Sequence, residues 1–387
     1  MTEYPRFVHS MKAVRRVGDR LADPIHFSPD MPSHERDAAI EAFAIAHNWR
    51  DDHFLPMRSI RFSVRHHMKK AGAKGDLASR IKRMTSIRRK LRESTVKLDQ
   101  MNDLGGVRAI MDDISGVNAL ISAIGEKFQH TIRQQYPYIE KPKDDGYRSH
   151  HVVLSFVGEG EREVYSGRRV ELQIRTRLQH AWATAVEAAG LYRGEDFKHH
   201  RGDADWLRFF QLVSSEFAHT EGCPEVPGTQ SHHERVEEIK DLNQKLKATE
   251  TLEHIKNATE FAESFVYDAG RFFLIRYRKD HTVSVETHDR PIAAAYALTE
   301  HEMRIEQGID DEKVVLVEVD KVTKLVETYP NYFGDVSLFV MSVKRICDGR
   351  GAIEYSLAPQ EIVGQKPRGV ERFYDLRRLY TRWTERR

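Results

Sequence analysis

Four short stretches carry side chains suited to holding phosphates, a hard cation and a flat ring. The first is Arg80-Ile-Lys82-Arg-Met-Thr-Ser86-Ile-Arg-Arg-Lys90. On a helix, Lys82, Ser86 and Lys90 fall four apart, so two ammonium groups and a hydroxyl line one face and can grip a polyphosphate. The second, Asn102-Asp103-Leu-Gly-Gly-Val-Arg108, places an acid at the mouth of a strand. A Mg²⁺ ion that arrives on a polyphosphate needs only one or two protein carboxylates. The third, Glu171-Leu-Gln173-Ile-Arg175-Thr176, alternates polar and apolar residues. Period-two geometry sets Glu171, Gln173 and Arg175 on one face of a sheet, where an acid, an amide and a guanidinium suit a ligand better than a core. The fourth is the loop Lys141-Pro-Lys143-Asp-Asp-Gly146-Tyr147-Arg-Ser149-His-His151, which mixes cations, imidazoles and a phenol. Singly, each stretch has an ordinary explanation: solvated lysines, a turn cap at Asp103, an ion pair at Glu171, a turn at Asp-Asp-Gly.

The chain that must position these groups has 387 residues, enough for two domains of ordinary size. With 40% hydrophobic and 31% charged residues it reads as a soluble, folded protein rather than a disordered one. The net charge of +2 conceals a cluster, because residues 58–97 hold fourteen Lys or Arg against two acids, Asp76 and Glu93. Such a segment suits phosphates or nucleic acid, and otherwise forms a solvated helix face. Two distant cysteines, Cys223 and Cys347, argue against a disulfide framework. No apolar run approaches the roughly 18 residues of a membrane span, and the N-terminus lacks the apolar core of a signal peptide. A cytoplasmic location is expected.

Patterning predicts a helix over 33–48 and a long basic helical stretch over 56–101, interrupted near Gly72 and Gly75. A strand follows at 106–111, then a helix at 114–128 with Val117, Leu120, Ile121, Ile124 and Phe128 at helical spacing. Strands at 136–139, 152–156 and 169–174 precede a helix with Leu178, Trp182, Val186 and Ala189 on one face, and another helix at 206–217. This order implies an α/β (α+β) fold, a mixed sheet flanked by helices. Residues 221–228, rich in Pro and Gly, read as a linker. Beyond them come a polar helix at 234–264, a hairpin at 272–278 and 282–287, a helix at 292–307, a strand at 314–319, and a further helix and strand reaching 346. This second half is expected to be a smaller α/β domain. Its run Val314-Val-Leu-Val317 reads as core, and the cluster Tyr329, Tyr332 and Phe333 as core or partner surface.

In order and spacing the four stretches resemble the synthetase domain of the RelA/SpoT family, which includes the small alarmone synthetases. The resemblance rests on Arg80, Lys82, Ser86, Ile87 and Lys90, then Asp103 and Arg108. It continues through Lys141, Pro142, Gly146, Tyr147, Ser149 and His151, then Glu171, Gln173, Arg175, Thr176, Trp182 and Ala183. It covers roughly residues 50–195. It divides the chain into an N-terminal helical extension (1–50), a synthetase domain (51–220), and a C-terminal helix with an α/β domain (230–387) that would regulate the enzyme or sense a partner.

The implied activity is a pyrophosphokinase that moves the β,γ-pyrophosphate of ATP to a ribose 3′-hydroxyl and releases AMP. By this resemblance Arg80, Lys82, Ser86 and Lys90 bind ATP, and Asp103 holds Mg²⁺. Glu171 completes the metal site or accepts the proton of the attacking hydroxyl. Tyr147 stacks on the acceptor base, with Lys143, Ser149, His151, Gln173 and Arg175 around the acceptor. Three positions depart from the family pattern: Pro137-Tyr138, His150, and Val186-Glu187. About 50 residues precede the motif, and the one His-Asp dipeptide, His288-Asp289, reads as a turn, so no hydrolase activity is expected. GDP or GTP is the first-ranked acceptor. The alternatives are a toxic relative that modifies the 3′ end of tRNA, in toxin–antitoxin or phage-defence systems, and an idle nucleotide-binding regulator. A homo-oligomer and a protein partner on the C-terminal half are compatible with this reading.

Overall fold

Three helices come first, α1 (Met11–Ala22), α2 (Ser33–Asp51) and α3 (Phe54–Lys70). They lead to β1 (Gly75–Ile81), α4 (Met84–Glu93), β2 (Gly105–Met111), α5 (Ile114–Glu126), β3 (Thr131–Pro137), β4 (His150–Ser155) and β5 (Arg169–Thr176). The helices α6 (Arg177–Arg193), α7 (Ala204–Thr220), α8 (His232–Leu246) and α9 (Ala248–Ala258) follow. The last elements are β6 (Glu260–Phe261), β7 (Phe272–Arg278), β8 (Thr282–His288), α10 (Pro291–Glu306), β9 (Glu312–Glu318) and α11 (Ser337–Cys347). The computed structural model describes residues 4–25, 27–28, 30–193, 195–197, 201–258, 260–261, 272–278, 282–318 and 336–352. Tyr329, Tyr332 and Phe333 lie outside them.

The strands form one mixed sheet in the order β3-β4-β5-β2-β1-β9-β7-β8-β6. β2 runs parallel to β5, whereas β1–β2, β3–β4 and β4–β5 are antiparallel. A mixed sheet flanked by helices is therefore the architecture that the pattern implied. The C-terminal half keeps its expected α/β character, but its strands extend the same sheet: β9 pairs with β1 through Ser79↔Glu318 and Arg80↔Val317. Val314–Val317 are buried, as core residues should be.

Alternation along the strands separates a core face from a site face. Val170, Leu172 and Ile174 of β5 join Val107 and Ala109 of β2 in an apolar cluster with Ile60 and Val64 of α3 and Leu120 and Ile124 of α5. Each of these Val, Leu and Ile side chains contributes about 1.5–3 kcal/mol when fully buried. Glu171, Gln173 and Arg175 point the other way. A second cluster joins α6, α7, α8, α9 and α11, and a third joins α1, α2 and α4.

Several local expectations change. The long basic helix is instead α3, β1 and α4. Gly72, in the left-handed region at φ +65°, turns the chain after α3, and residues 75–81 then find a partner in β2. Such pairing outweighs intrinsic helix propensity. The first of the three middle strands spans 131–137 rather than 136–139, and the polar helix is split at Lys247, which adopts φ 49°. Residues 221–228 are tied down rather than loose. Glu221 takes bonds from Arg148 (2.8 Å) and Gln179 (3.0 Å), and Glu225 pairs with Arg235.

Buried ion pairs bind the last third of the chain to the first. Glu302 of α10 pairs with Arg50, and its Oε1 accepts from the Met84 backbone N–H (2.7 Å). Glu306 pairs with Arg88, and Glu318 of β9 lies 3.4 Å from both Arg58 and Arg61. Arg50 is 0% and Glu302 2% exposed, so removing one partner strands a charge away from water. Glu302→Ala should therefore destabilise the full chain by about 3 kcal/mol in urea unfolding. A loss under about 1 kcal/mol would show that this pair does not hold the two parts together.

Candidate active site

The register of the sheet builds the site in rows. Val153, Glu171, Gly106, Arg80 and Val317 lie side by side across β4, β5, β2, β1 and β9. The neighbouring row holds His151, Gln173, Arg108 and Ala78. Gly106 thus separates Arg80 from Glu171. A Cβ placed there would meet only the Arg80 carbonyl, at 3.7 Å, so the row is open above it.

The loop before β4 is held in one shape. Gly146 has φ +93°, and a Cβ there would lie 2.9 Å from the Ser214 Cβ and 3.1 Å from Trp182. Only glycine satisfies both limits. Ser214 donates to the Gly146 carbonyl (2.5 Å), and Tyr147 N–H donates to Asp145 (2.8 Å), which closes the turn. The Tyr147 ring is edge-on to Trp182 and Tyr138, and the Lys143 ammonium sits 5.5 Å from its centroid.

From Tyr147 a hydrogen-bonded chain runs to the sheet. The phenol lies 2.8 Å from His151 Nε2, His151 Nδ1 lies 3.2 Å from Glu171 Oε1, and Gln173 donates to Glu171 Oε2 (2.7 Å). In the neutral ring this places the proton on Nδ1, donated to Glu171, while Nε2 accepts from the phenol. Burial works against the charge of Glu171, but the His151 contacts and the Gln173 bond outweigh it and hold the carboxyl below its usual range. A cavity of about 280 Å³ opens here, lined among others by Arg80, Arg108, Lys143, Tyr147, His151, Gln173 and Arg175. Burial and then Arg108 pull the Arg175 pKa down, so this charge is held against its surroundings. Its Nε is buried without a hydrogen-bond partner. An anion in the cavity would return part of that energy.

The first stretch lies at the other end of the row, in an arrangement the helical stripe did not anticipate. Lys82 precedes α4 rather than lying on it, yet Lys82 (2.7 Å) and Lys90 (3.0 Å) both grip Asp103. Burial opposes ionisation of Asp103, but the two ammonium groups bring its pKa down to about 2. Ser86 lines a larger cavity of about 510 Å³, together with Arg83, Arg89 and residues of α10 and β9. Arg80, expected beside Ser86, lies instead in the smaller cavity. Ser149, expected at the acceptor, does not line the cavity: it is 0% exposed and donates to the Ile174 carbonyl (3.2 Å), which ties the loop to β5. Arg108 was part of the pattern without a role, although its alternation with Val107 and Ala109 marks it as facing the site.

Asp103 and Glu171 are the carboxylates here that could share a hard cation bringing most of its own ligands, although Lys82 and Lys90 engage Asp103 and His151 and Gln173 engage Glu171. Both are partly accessible and held below the usual carboxylate range, and Glu171 feels the charge of Asp103. Among the described residues, a three-residue group with metal-ligand spacing occurs elsewhere, at His301, Asp310 and Glu312, where Arg304 already occupies Asp310. No described helix is long and apolar enough to cross a membrane.

Comparison with known proteins adds a family to this geometry. Residues 79–196 match the family model described as a region found in RelA / SpoT proteins. The chain is 29% identical over 161 residues to the GTP pyrophosphokinase of Escherichia coli (strain K12), covering 40% of this chain and 21% of that one. It is 30% identical over 114 residues to the GTP pyrophosphokinase YjbM of Bacillus subtilis (strain 168), covering 28% and 52% respectively. It thus spans about a fifth of the first relative and about half of the second. The solved structure of a GTP pyrophosphokinase family protein from Streptococcus pneumoniae aligns over 52% of this chain and 95% of that one, at 20% identity and TM-score 0.37.

The Asp103 cluster has an acid-range signature. With the folded pKa near 2 against 3.8 for an unperturbed group, Asp103 contributes about 2 kcal/mol of stability above pH about 4. That contribution falls away as pH drops toward 2. Carboxyl NMR titration should find the Asp103 midpoint near 2, and a midpoint at or above 4 would contradict the double ammonium grip.

Proposed function

We propose that the protein transfers the β,γ-pyrophosphate of ATP to the 3′-hydroxyl of GDP or GTP and releases AMP, a reading supported by the match of residues 79–196 to a region found in RelA / SpoT proteins. The observation that carries this reading is the Tyr147–His151–Glu171–Gln173 chain standing beside a cavity ringed by Arg80, Arg108, Arg175 and Lys143. The curated relatives named GTP pyrophosphokinase support the guanine acceptor.

In the reaction, the acceptor 3′-oxygen forms a bond to the β-phosphorus of ATP. The bond from that phosphorus to the oxygen bridging it to the α-phosphate breaks, and the bridging oxygen leaves with AMP. Glu171 takes the hydroxyl proton, and its lowered pKa keeps it ionised for this task. The guanine base packs against Tyr147, held rigid by Trp182 and Tyr138, while Lys143 and the arginines meet the acceptor phosphates. Asp103 and Glu171 would hold Mg²⁺, which supplies charge neutralisation on the transferring phosphates. Positioning and charge neutralisation supply most of the catalysis in such a transfer.

A tRNA acceptor draws its support from the basic stretch 58–97. Much of that charge is used internally: Arg58 and Arg61 face Glu318, Arg88 faces Glu306, Arg89 faces Asp196, and Lys82 and Lys90 face Asp103. With six of its fourteen cations engaged in this way, less of the charge is left to follow a nucleic-acid backbone, which favours a free nucleotide.

Incubation of the full chain with γ-labelled ATP and, separately, GDP, GTP, ADP or deacylated tRNA tests the assignment. Label should enter GDP and GTP, and label in tRNA alone would sink this reading. Glu171→Gln should lower kcat by about 10²–10⁴, and retained turnover would remove Glu171 as the proton acceptor. Gly106→Val, on an ordinary strand position, should keep the fold yet fill the gap between Arg80 and Glu171. A turnover loss of about 100-fold is expected. Wild-type kinetics in that variant would mean that substrate does not cross the row at this point.

A further inference from the structure

The larger cavity, of about 510 Å³, has walls from two distant parts of the chain. One wall is Arg83 with Ser86 and Arg89 of α4. The other is Lys313 and Val314 of β9 with Glu302 of α10. It is separate from the Tyr147 cavity but shares Val186, Glu187 and Phe197 with it, so ligands in the two would be neighbours.

Arg83 and Lys313 both line this space, with Arg89 and Arg92 on the α4 side. Burial and the Arg83 guanidinium pull the Lys313 ammonium below the usual lysine range, against a smaller opposing pull from Glu187. Neither Arg83 nor Lys313 forms a salt bridge with a described residue, whereas Arg89 beside them is held 3.4 Å from Asp196. Of the carboxylates that line the cavity, Asp196 is paired with Arg89, Glu195 with Arg193, Glu302 with Arg50 and Glu312 with Arg278, while Glu187 acts on Lys313. A bound anion would add to that pull and lower the energy of the two like charges. The wall that carries Lys313 is firmly placed. β9 is hydrogen-bonded to β1 next to Arg80, and Glu302 both pairs with Arg50 and accepts from the N-terminal amide of α4.

We propose that the C-terminal segment contributes a substrate contact: Lys313, opposite Arg83, binds phosphate oxygens of the ATP donor, so the donor site is shared between the synthetase domain and β9. The inference rests on the pyrophosphokinase reading for the identity of the donor. It gives the C-terminal strands a part in substrate binding that the family pattern, which ends before them, does not contain. The cavity size suits a nucleotide, and a point-like ammonium suits terminal phosphate oxygens that can rotate.

The test uses the full chain and its Lys313→Ala and Lys313→Arg variants. Calorimetry with a non-hydrolysable ATP analogue at two salt concentrations should show Lys313→Ala binding about tenfold more weakly, with a smaller salt dependence. Lys313→Arg should recover to within about threefold. In the transfer assay, the donor KM should rise in Lys313→Ala while the guanine-nucleotide KM holds within about twofold. Unchanged analogue affinity in Lys313→Ala, a loss that arginine does not recover, or no analogue binding by the unsubstituted protein would each overturn the proposal. If that protein binds the analogue yet transfers label to no acceptor, the reaction assignment falls while the calorimetry still decides Lys313.

Discussion

A buried contact between Arg50 and Glu302 ties α10 to the first helices of the chain, and the placement of α4 depends on it. Arg50 closes α2, Glu302 belongs to α10, and the second oxygen of Glu302 accepts from the first backbone amide of α4. The residue at the N-cap of α4, Arg83, offers no capping oxygen, so a carboxylate from more than 200 positions away does that work. From α4 the constraint passes to Lys90, which shares Asp103 with Lys82. A buried pair of this kind adds little net stability compared with apolar packing. Its value here is geometric, because it fixes a helix that lines the larger cavity.

The smaller cavity is organised by strand register. One row sets Arg80 and Glu171 on either side of Gly106, and the next sets His151, Gln173 and Arg108 beside one another. These groups cannot drift, since the opposite face of each strand is packed against α3 and α5. Cations are thereby held close together around one partly enclosed cavity. Charge arranged in advance needs little reorganisation during phosphoryl transfer, which is how a site with few moving parts can accelerate it.

Much of this was legible in the residues, and the exceptions have physical causes. Alternation of Glu171, Gln173 and Arg175 between Val170, Leu172 and Ile174 announced a strand with one polar face, and the structure has it. Asp144-Asp145-Gly146 announced a turn, and the left-handed glycine supplies it. The stripe Lys82, Ser86, Lys90 was drawn on a helix, but strand pairing with β2 claimed the first part of the segment. Lys82 and Lys90 still meet because Asp103 draws both. Ser149 matched a motif position, while its environment, a buried contact with a carbonyl, was invisible in the letters. Glu302, Glu306 and Glu318 look like ordinary surface acids in sequence. Their partners lie across the whole length of the chain, and no local pattern reports such pairing.

The central claim is that the site moves pyrophosphate as a unit, so the identity of the leaving nucleotide tests it most directly. Phosphorus NMR of the protein incubated with ATP, GDP and Mg²⁺ should show AMP accumulating in step with a guanine nucleotide that gains a 3′-diphosphate. Accumulation of ADP with free phosphate or a monophosphorylated acceptor, and no AMP, would contradict the account.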